Sequence, residues 1–258
     1  MKNIPLTQRQ GEILERIVKT YIKSAEPVSS KFLEKKYAFG ICPASIRIEM
    51  QKLTDKGYIF QPHTSAGRIP TDKGYRFFVD SLLKKEDSLE ESLDAQIKEY
   101  LEEKITNSIK FIQLITRGLA LISSNLALGY LSNEKIIWKD GWDKIVKEPE
   151  FAEKKNIDDF IKMIGFFEKE IAKLEDDLKN KIDDEEGKKA CRQISSSIKV
   201  YIGKENPFPK AKEFSIIVTD YRLSYKEKGI LALFGPKRMN YDKNIGSLNS
   251  LIKLLEKI

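Results

Sequence analysis

The residues best suited to chemistry lie between Gln61 and Tyr75, in the run QPHTSAGRIPTDKGY. His63, the only histidine of the chain, stands beside Thr64 and Ser65, and Arg68, Lys73, Tyr75 and Arg76 follow closely. Imidazole and hydroxyl groups on a loop tip exchange hydrogen bonds at short range, and guanidinium and ammonium groups attract phosphate. Gly67 is expected to let the backbone turn tightly. Arg68 is expected to enter a minor groove or to sit on phosphate. One histidine in a polar loop is ordinary surface. With basic and hydroxyl side chains crowded into the same short stretch, contact with duplex DNA is the better reading.

Such a loop needs a scaffold, and the preceding residues describe one. Thr7 and Gln10 have the spacing of a capping box, and Ile13, Leu14, Ile17, Val18, Tyr21 and Ile22 then recur as one helical stripe. Glu26-Pro27 stops this helix. Ser29 or Ser30 caps a short second helix carrying Phe32, Leu33 and Tyr37, closed by Gly40. A third helix opens at Pro43, where the missing N–H costs nothing. It buries Ile46, Met50 and Leu53 and stops at Gly57. Tyr58-Ile59-Phe60 reads as a short strand. Thr71 caps a fourth helix from Asp72 to about Leu83, with Tyr75, Phe78, Val79 and Leu82 apolar. This is the order of a winged helix–turn–helix.

The third helix is the candidate reading element. Ser45 is short and near its N-terminus, where amides and partial positive charge face phosphate. Arg47 has the geometry for guanine O6 and N7, Gln51 for adenine, and Lys52 for phosphate. For each residue alone, a solvated helix surface is the competing reading.

Charge agrees with this placement. The 258 residues carry a net charge of +7, with 14 Lys/Arg against 8 Asp/Glu in residues 1–80 and 32 against 31 in the remainder. The excess therefore sits in the first third and favours a polyanion there. The cysteines, Cys42 and Cys191, are far apart and suggest neither a disulfide framework nor a metal site, so a reducing cytoplasm is expected. The longest uncharged run, Gly118–Asn133, is shorter than the roughly 20 apolar residues of a membrane span and reads as buried helix. No nucleophile elbow or phosphate-binding glycine loop is present. The acidic run from Asp183 to Glu186 lacks the glycine turn of a calcium loop. Neither an enzyme nor a cofactor is expected.

From the end of the charged stretch 84–90 onward, Leu89, Leu93, Ile97, Leu101, Ile105, Ile109, Ile112 and Leu119 keep a mostly helical period, as a core helix or a dimer seam would. Residues 134–160 look irregular, and Ile157 to about Lys181 looks helical. Ile198–Ile202, Phe214–Thr219 and Gly229–Phe234 read as strands, with a closing helix through Ile245, Leu248, Leu251, Ile252 and Leu255. The fold class is α+β, with a DNA-binding part over residues 1–83 and a long helix plus a small sheet over 84–258.

Residues 6–80 resemble the HrcA family of bacterial heat-inducible transcription repressors. The resemblance is carried by LTQRQGEIL (Leu6–Leu14), EPVSSKFL (Glu26–Leu33), PASIRIEMQKLTDKGYI (Pro43–Ile59) and above all QPHTSAGRIPTDKGYRFFVD (Gln61–Asp80). Weaker similarity returns at KEPEF (Lys147–Phe151), VYIGKENPFP (Val200–Pro209) and GPKRMNYD (Gly235–Asp242). The resemblance implies a winged-helix DNA-binding domain followed by a GAF-like domain. It also implies a homodimer on the inverted-repeat CIRCE operator of chaperone operons, with a GroE-type chaperonin as modulator and no membrane partner. Two departures are visible. Too little sequence lies between Tyr130 and Glu150 for the full first half of a GAF-like fold and its insertion, so that part is expected to be shortened. Cys42 stands where a capping serine is common. Three functions stay in view: a sequence-specific repressor, a winged-helix protein-interaction module, and a small-molecule-gated regulator.

Overall fold

A computed structural model of the chain describes residues 5–37, 39–84, 108–183, 198–222 and 228–255. Residues 1–85 and 86–258 cluster as two separate units. The charged stretch after Lys84, the stripe from Leu89 to Ile105, the acidic run beyond Asp183, and Cys191 lie outside the described residues.

In the first unit, helix α1 (Gln8–Ser24) begins on the expected capping box: Thr7 Oγ1 accepts from the Gln10 amide, and the Thr7 amide donates to Gln10 Oε1. It stops just ahead of Glu26-Pro27, where Ala25 takes φ +56°. Helix α2 (Ser30–Lys36) is capped by Ser29, whose hydroxyl accepts from the Phe32 amide at 3.2 Å. It ends before Gly40, because Tyr37 is extended. Helix α3 (Pro43–Asp55) starts on its proline, and Gly57 follows it at φ +75°. Strands β1 (Ile59–Phe60) and β2 (Ile69–Pro70) pair antiparallel around the polar loop of residues 61–68. Helix α4 (Asp72–Leu83) is capped by the Thr71 hydroxyl, which accepts from the Gly74 amide at 3.2 Å. Ile13, Leu14, Ile17, Val18, Leu33, Ile46, Leu53 and Val79 are fully buried, so α1 holds α3 and α4 around one core.

The second unit is built on a five-stranded antiparallel sheet. Helix α5 (Ser108–Ser123) leads into strands β3 (Leu126–Leu131) and β4 (Ile136–Asp140). A short helix α6 (Trp142–Ile145) and a 3-10 turn at Pro149–Ala152 precede the long helix α7 (Lys154–Asp183). Strands β5 (Lys199–Ile202), β6 (Phe214–Arg222) and β7 (Lys228–Pro236) and helix α8 (Tyr241–Leu255) complete the unit. The spatial order is β4-β3-β7-β6-β5.

Residues on one face of the sheet, among them Leu126, Leu128, Phe214, Ile216 and Phe234, join Phe151 and the α7 residues Phe160, Met163 and Phe167 in a single apolar core. Ring centroids there lie 4.9 Å apart for Phe151 and Phe160 and 5.0 Å for Phe160 and Phe214. On the other face a Cβ at Gly129 would meet Thr116 and Ile112 of α5, and Ser215 bonds the Tyr241 hydroxyl of α8 at 2.7 Å.

Two sequence expectations change here. Gly118–Asn133 is not one helix: α5 ends at Ser123, Ser124 takes φ +55°, and Leu126–Leu131 is a strand buried along its whole length. A strand covered on both faces shows no polar alternation, so an uncharged run hides it. The stretch after Tyr130 is also less irregular than expected. It supplies β4, and with it the hairpin that extends the sheet beyond β3.

Candidate nucleic-acid interface

Helix α3 is fixed by Ile46, Met50 and Leu53, which are buried. The same turns carry Arg47, Gln51 and Lys52 outward. Arg47 is exposed and makes no hydrogen bond or ion pair with a described residue. Ile48 beside it is 57% exposed, an apolar group next to a cation. Ser45 is half-buried, and its hydroxyl lies 3.4 Å from Cys42 Sγ. Cys42 holds the capping position without a side-chain cap bond. Hydrogen bonding from Ser45 draws its thiol below the usual range.

A polar network behind the helix sets its pose. Gln10, nearly buried in α1, donates from Nε2 to Glu49 Oε2 at 2.9 Å and accepts from Lys56 Nζ at 2.9 Å. Lys52 Nζ donates to Glu49 Oε1 at 2.7 Å. The hydrogen bond from Lys52, then that from Gln10, holds the Glu49 carboxyl below the ordinary carboxylate range. Lys52 is thus tied to its own helix while half of its side chain stays exposed.

The loop between β1 and β2 is braced from inside. Gln61 Nε2 donates to the carbonyls of Thr64 and Ala66, both at 2.8 Å. This leaves His63, Thr64 and Ser65 exposed at the tip, with His63 Nδ1 3.3 Å from Ser65 Oγ. Arg68 turns back toward α3, where Nε donates to Thr54 Oγ1 and Nη2 to Gln51 Oε1, each at 3.2 Å. Lys73 donates to the Lys56 carbonyl at 2.9 Å and covers the Tyr58 ring at 4.3 Å. Arg76 pairs with Asp80 on α4 at 3.4 Å.

Tyr75 does not belong with the exposed groups. It is 2% exposed and lies on the core face of α4 with Phe78, Val79 and Leu82, so no groove can reach it. Gly67 also differs from expectation. No left-handed turn occurs there; instead a Cβ would lie 2.5 Å from the Val28 carbonyl carbon and oxygen, because Val28 and Arg68 exchange backbone hydrogen bonds at 2.9 and 2.8 Å. The connector after α1 thereby joins the hairpin. The bracing roles of Gln10 and Thr54 carry no local sequence signal, since each depends on a partner from another element.

A family model described as the HrcA protein C terminal domain matches residues 76–245. The chain belongs to the HrcA family. A relative from Thermodesulfovibrio yellowstonii, described as "Heat-inducible transcription repressor HrcA", is 29% identical over 346 aligned residues, covering 99% of this chain and 98% of the relative. That alignment is longer than this chain, so this HrcA relative carries residues that have no counterpart here. A relative of the same description from Prosthecochloris aestuarii is 54% identical over 83 residues, 32% of this chain and 23% of its own length. A solved structure described as a hypothetical protein has a TM-score of 0.76 at 19% identity, covering 98% of both chains, which establishes a shared fold. The motifs KEPEF and GPKRMNYD meet in the second unit: Arg238 donates from Nε to Glu150 Oε1 at 2.6 Å and also binds Glu148. Asn206 of VYIGKENPFP donates to the carbonyls of Gly203, Ala211 and Phe214, pinning the β5–β6 connection. These HrcA-like stretches hold loops in place.

Proposed function

We propose that this HrcA-family chain is a heat-inducible transcription repressor whose residues 1–83 act as a winged helix–turn–helix on double-stranded DNA. In this reading α3 enters the major groove. Ser45, Arg47 and Gln51 face base edges, Lys52 and Arg76 face phosphate, and His63, Thr64 and Ser65 meet the adjoining backbone or minor groove. Lys73 braces the hairpin base and adds positive charge. The observation that carries the reading is the outward face of α3: Arg47 and Gln51 stand exposed on a helix locked from behind, beside a hairpin with an exposed polar tip. The names of its relatives support the repressor role.

Residues 84–258 serve as the dimerising and regulatory part, and two copies bind an inverted-repeat CIRCE-type operator, one half-site each. The regulated genes are chaperone operons, the compartment is the cytoplasm, and a GroE-type chaperonin sustains the binding-competent state. A gel shift tests this with an inverted-repeat duplex, a shuffled duplex, and purified chaperonin present or absent. Preferred binding of the inverted repeat with a steep salt dependence is expected. Equal affinity for both duplexes at low salt, with and without chaperonin, would refute it.

A further inference from the structure

Arg68 is held at both ends. Its backbone is bridged to Val28, and Gly67 permits that approach because any side chain there would strike the Val28 backbone. Two of its five guanidinium N–H groups are engaged by α3, one from Nε on Thr54 Oγ1 and one from Nη2 on Gln51 Oε1. Gln51 is held in turn: its Nε2 donates to Asp55 Oδ1 at 2.9 Å. The carboxamide therefore has one satisfied orientation. A half-turn would set its NH2 against the guanidinium and its oxygen against the Asp55 carboxylate.

We propose that Arg68 is a positioning residue that fixes the carboxamide of Gln51 and so sets the base preference of α3, and that it is not itself a groove or phosphate contact. The proposal rests on the DNA-reading role of α3. After these bonds, Gln51 keeps one oxygen lone pair and one N–H for a partner. The acceptor lies on the Arg68 side and the donor on the Asp55 side, in fixed order. Adenine offers a donor and an acceptor on its major-groove edge and matches that order in one sense. Guanine offers two acceptors, so one of them faces the Gln51 oxygen. Freed from Arg68, the amide turns more easily and the distinction weakens. The hairpin thus specifies a base through the helix beside it.

The experiment uses the full chain and duplexes that the wild type enriches from a pool of randomised inverted repeats. Affinities are measured across a salt series for wild type, Arg68→Met, Arg68→Lys, Gln51→Ala and the Arg68→Met/Gln51→Ala double variant. Arg68→Met is expected to reduce discrimination about tenfold at the base pair that Gln51→Ala also relaxes. The salt slope stays as in wild type, the double variant is no worse than Gln51→Ala, and Arg68→Lys recovers part of the preference. The proposal is overturned if Arg68→Met weakens all duplexes alike with a slope shallower by about one phosphate contact, or if the two losses add. In the free protein, the two Gln51 side-chain amide protons should resonate away from the positions of a solvated glutamine and move toward those positions in Arg68→Met. An unchanged spectrum overturns the positioning role on its own. If the wild type enriches no duplex, the DNA-reading role fails instead, and that outcome is distinct from a spectral failure.

Discussion

Gln10 Nε2 lies 2.9 Å from Glu49 Oε2 although 39 residues separate them. A capping residue of one helix thereby sets the pose of another. Gln10→Ala removes this bond together with the acceptor of Lys56, and should cost about 1–2 kcal/mol in denaturant unfolding, the scale of lost hydrogen bonds to charged groups. The Glu49 carboxyl is depressed, foremost by Lys52 and then by Gln10. Its contribution is therefore present above the ordinary carboxylate range and disappears as pH falls through the lower folded value. Glu49→Gln should flatten stability against pH in that acid window and leave the slope near neutrality as it is.

Two glycine substitutions should move stability in opposite directions. A Cβ at Gly74 would lie 2.2 Å from the Tyr58 carbonyl oxygen, so Gly74→Ala forces backbone apart and should cost about 1–3 kcal/mol. At Gly165, inside α7, nothing lies within 4 Å of the added Cβ. Gly165→Ala should stabilise by about 0.5–1 kcal/mol. Equal effects in urea unfolding would contradict the close approach at Gly74.

Cys42 is exposed, and Ser45 lowers its thiol, so a maleimide should label the native protein rapidly near neutral pH. Cys42→Ser places a true cap acceptor at the start of α3 and should raise the melting temperature. Protection of the native thiol, or a lower melting temperature, would contradict the exposed, uncapped geometry.

Arg238 side-chain exposure is 11%, and it binds both Glu148 and Glu150. Burial alone would lower its affinity for the proton, but Glu150 and then Glu148 outweigh burial and leave the guanidinium more firmly protonated than usual. Arg238→Met strands two partly exposed carboxylates together and should cost about 1–3 kcal/mol. Adding Glu148→Gln and Glu150→Gln should return a substantial part of that loss. No recovery in the triple variant would show that Arg238 matters through packing alone.

Arg47 has no partner among the described residues, so its removal should leave folding intact and act on binding only. Arg47→Ala should cost about 1–3 kcal/mol on an inverted-repeat duplex and relax preference at one base pair. An equal loss on operator and random duplex would exclude direct readout by this residue.

Local chemistry made the first unit largely legible. Thr7, Pro43, Gly57 and Thr71 act within a few residues of themselves, and each marks a boundary that the structure keeps. Features that depend on distant partners were not legible. Gly67 looked like a turn residue but makes room for Val28, and Arg68 looked like a free cation but is engaged by α3. Tyr75 carried two signals at once, a polar tip near a basic loop and a place in the apolar period of α4, and the period decided its burial. In the second unit, β3 was masked by burial on both faces. β4 was masked because its mixed residues Ile136–Asp140 show no clean alternation.

The sheet order has a consequence for synthesis. Strand β3 lies between β4 and β7, so Leu126–Leu131 obtains its second neighbour only when Lys228–Pro236 has been made. A nascent chain leaving the ribosome must carry that sticky edge through most of the second half of translation, whereas the amino-terminal helices and hairpin already have every partner they need. The yield of finished regulator therefore depends on whatever shelters an open strand during that interval.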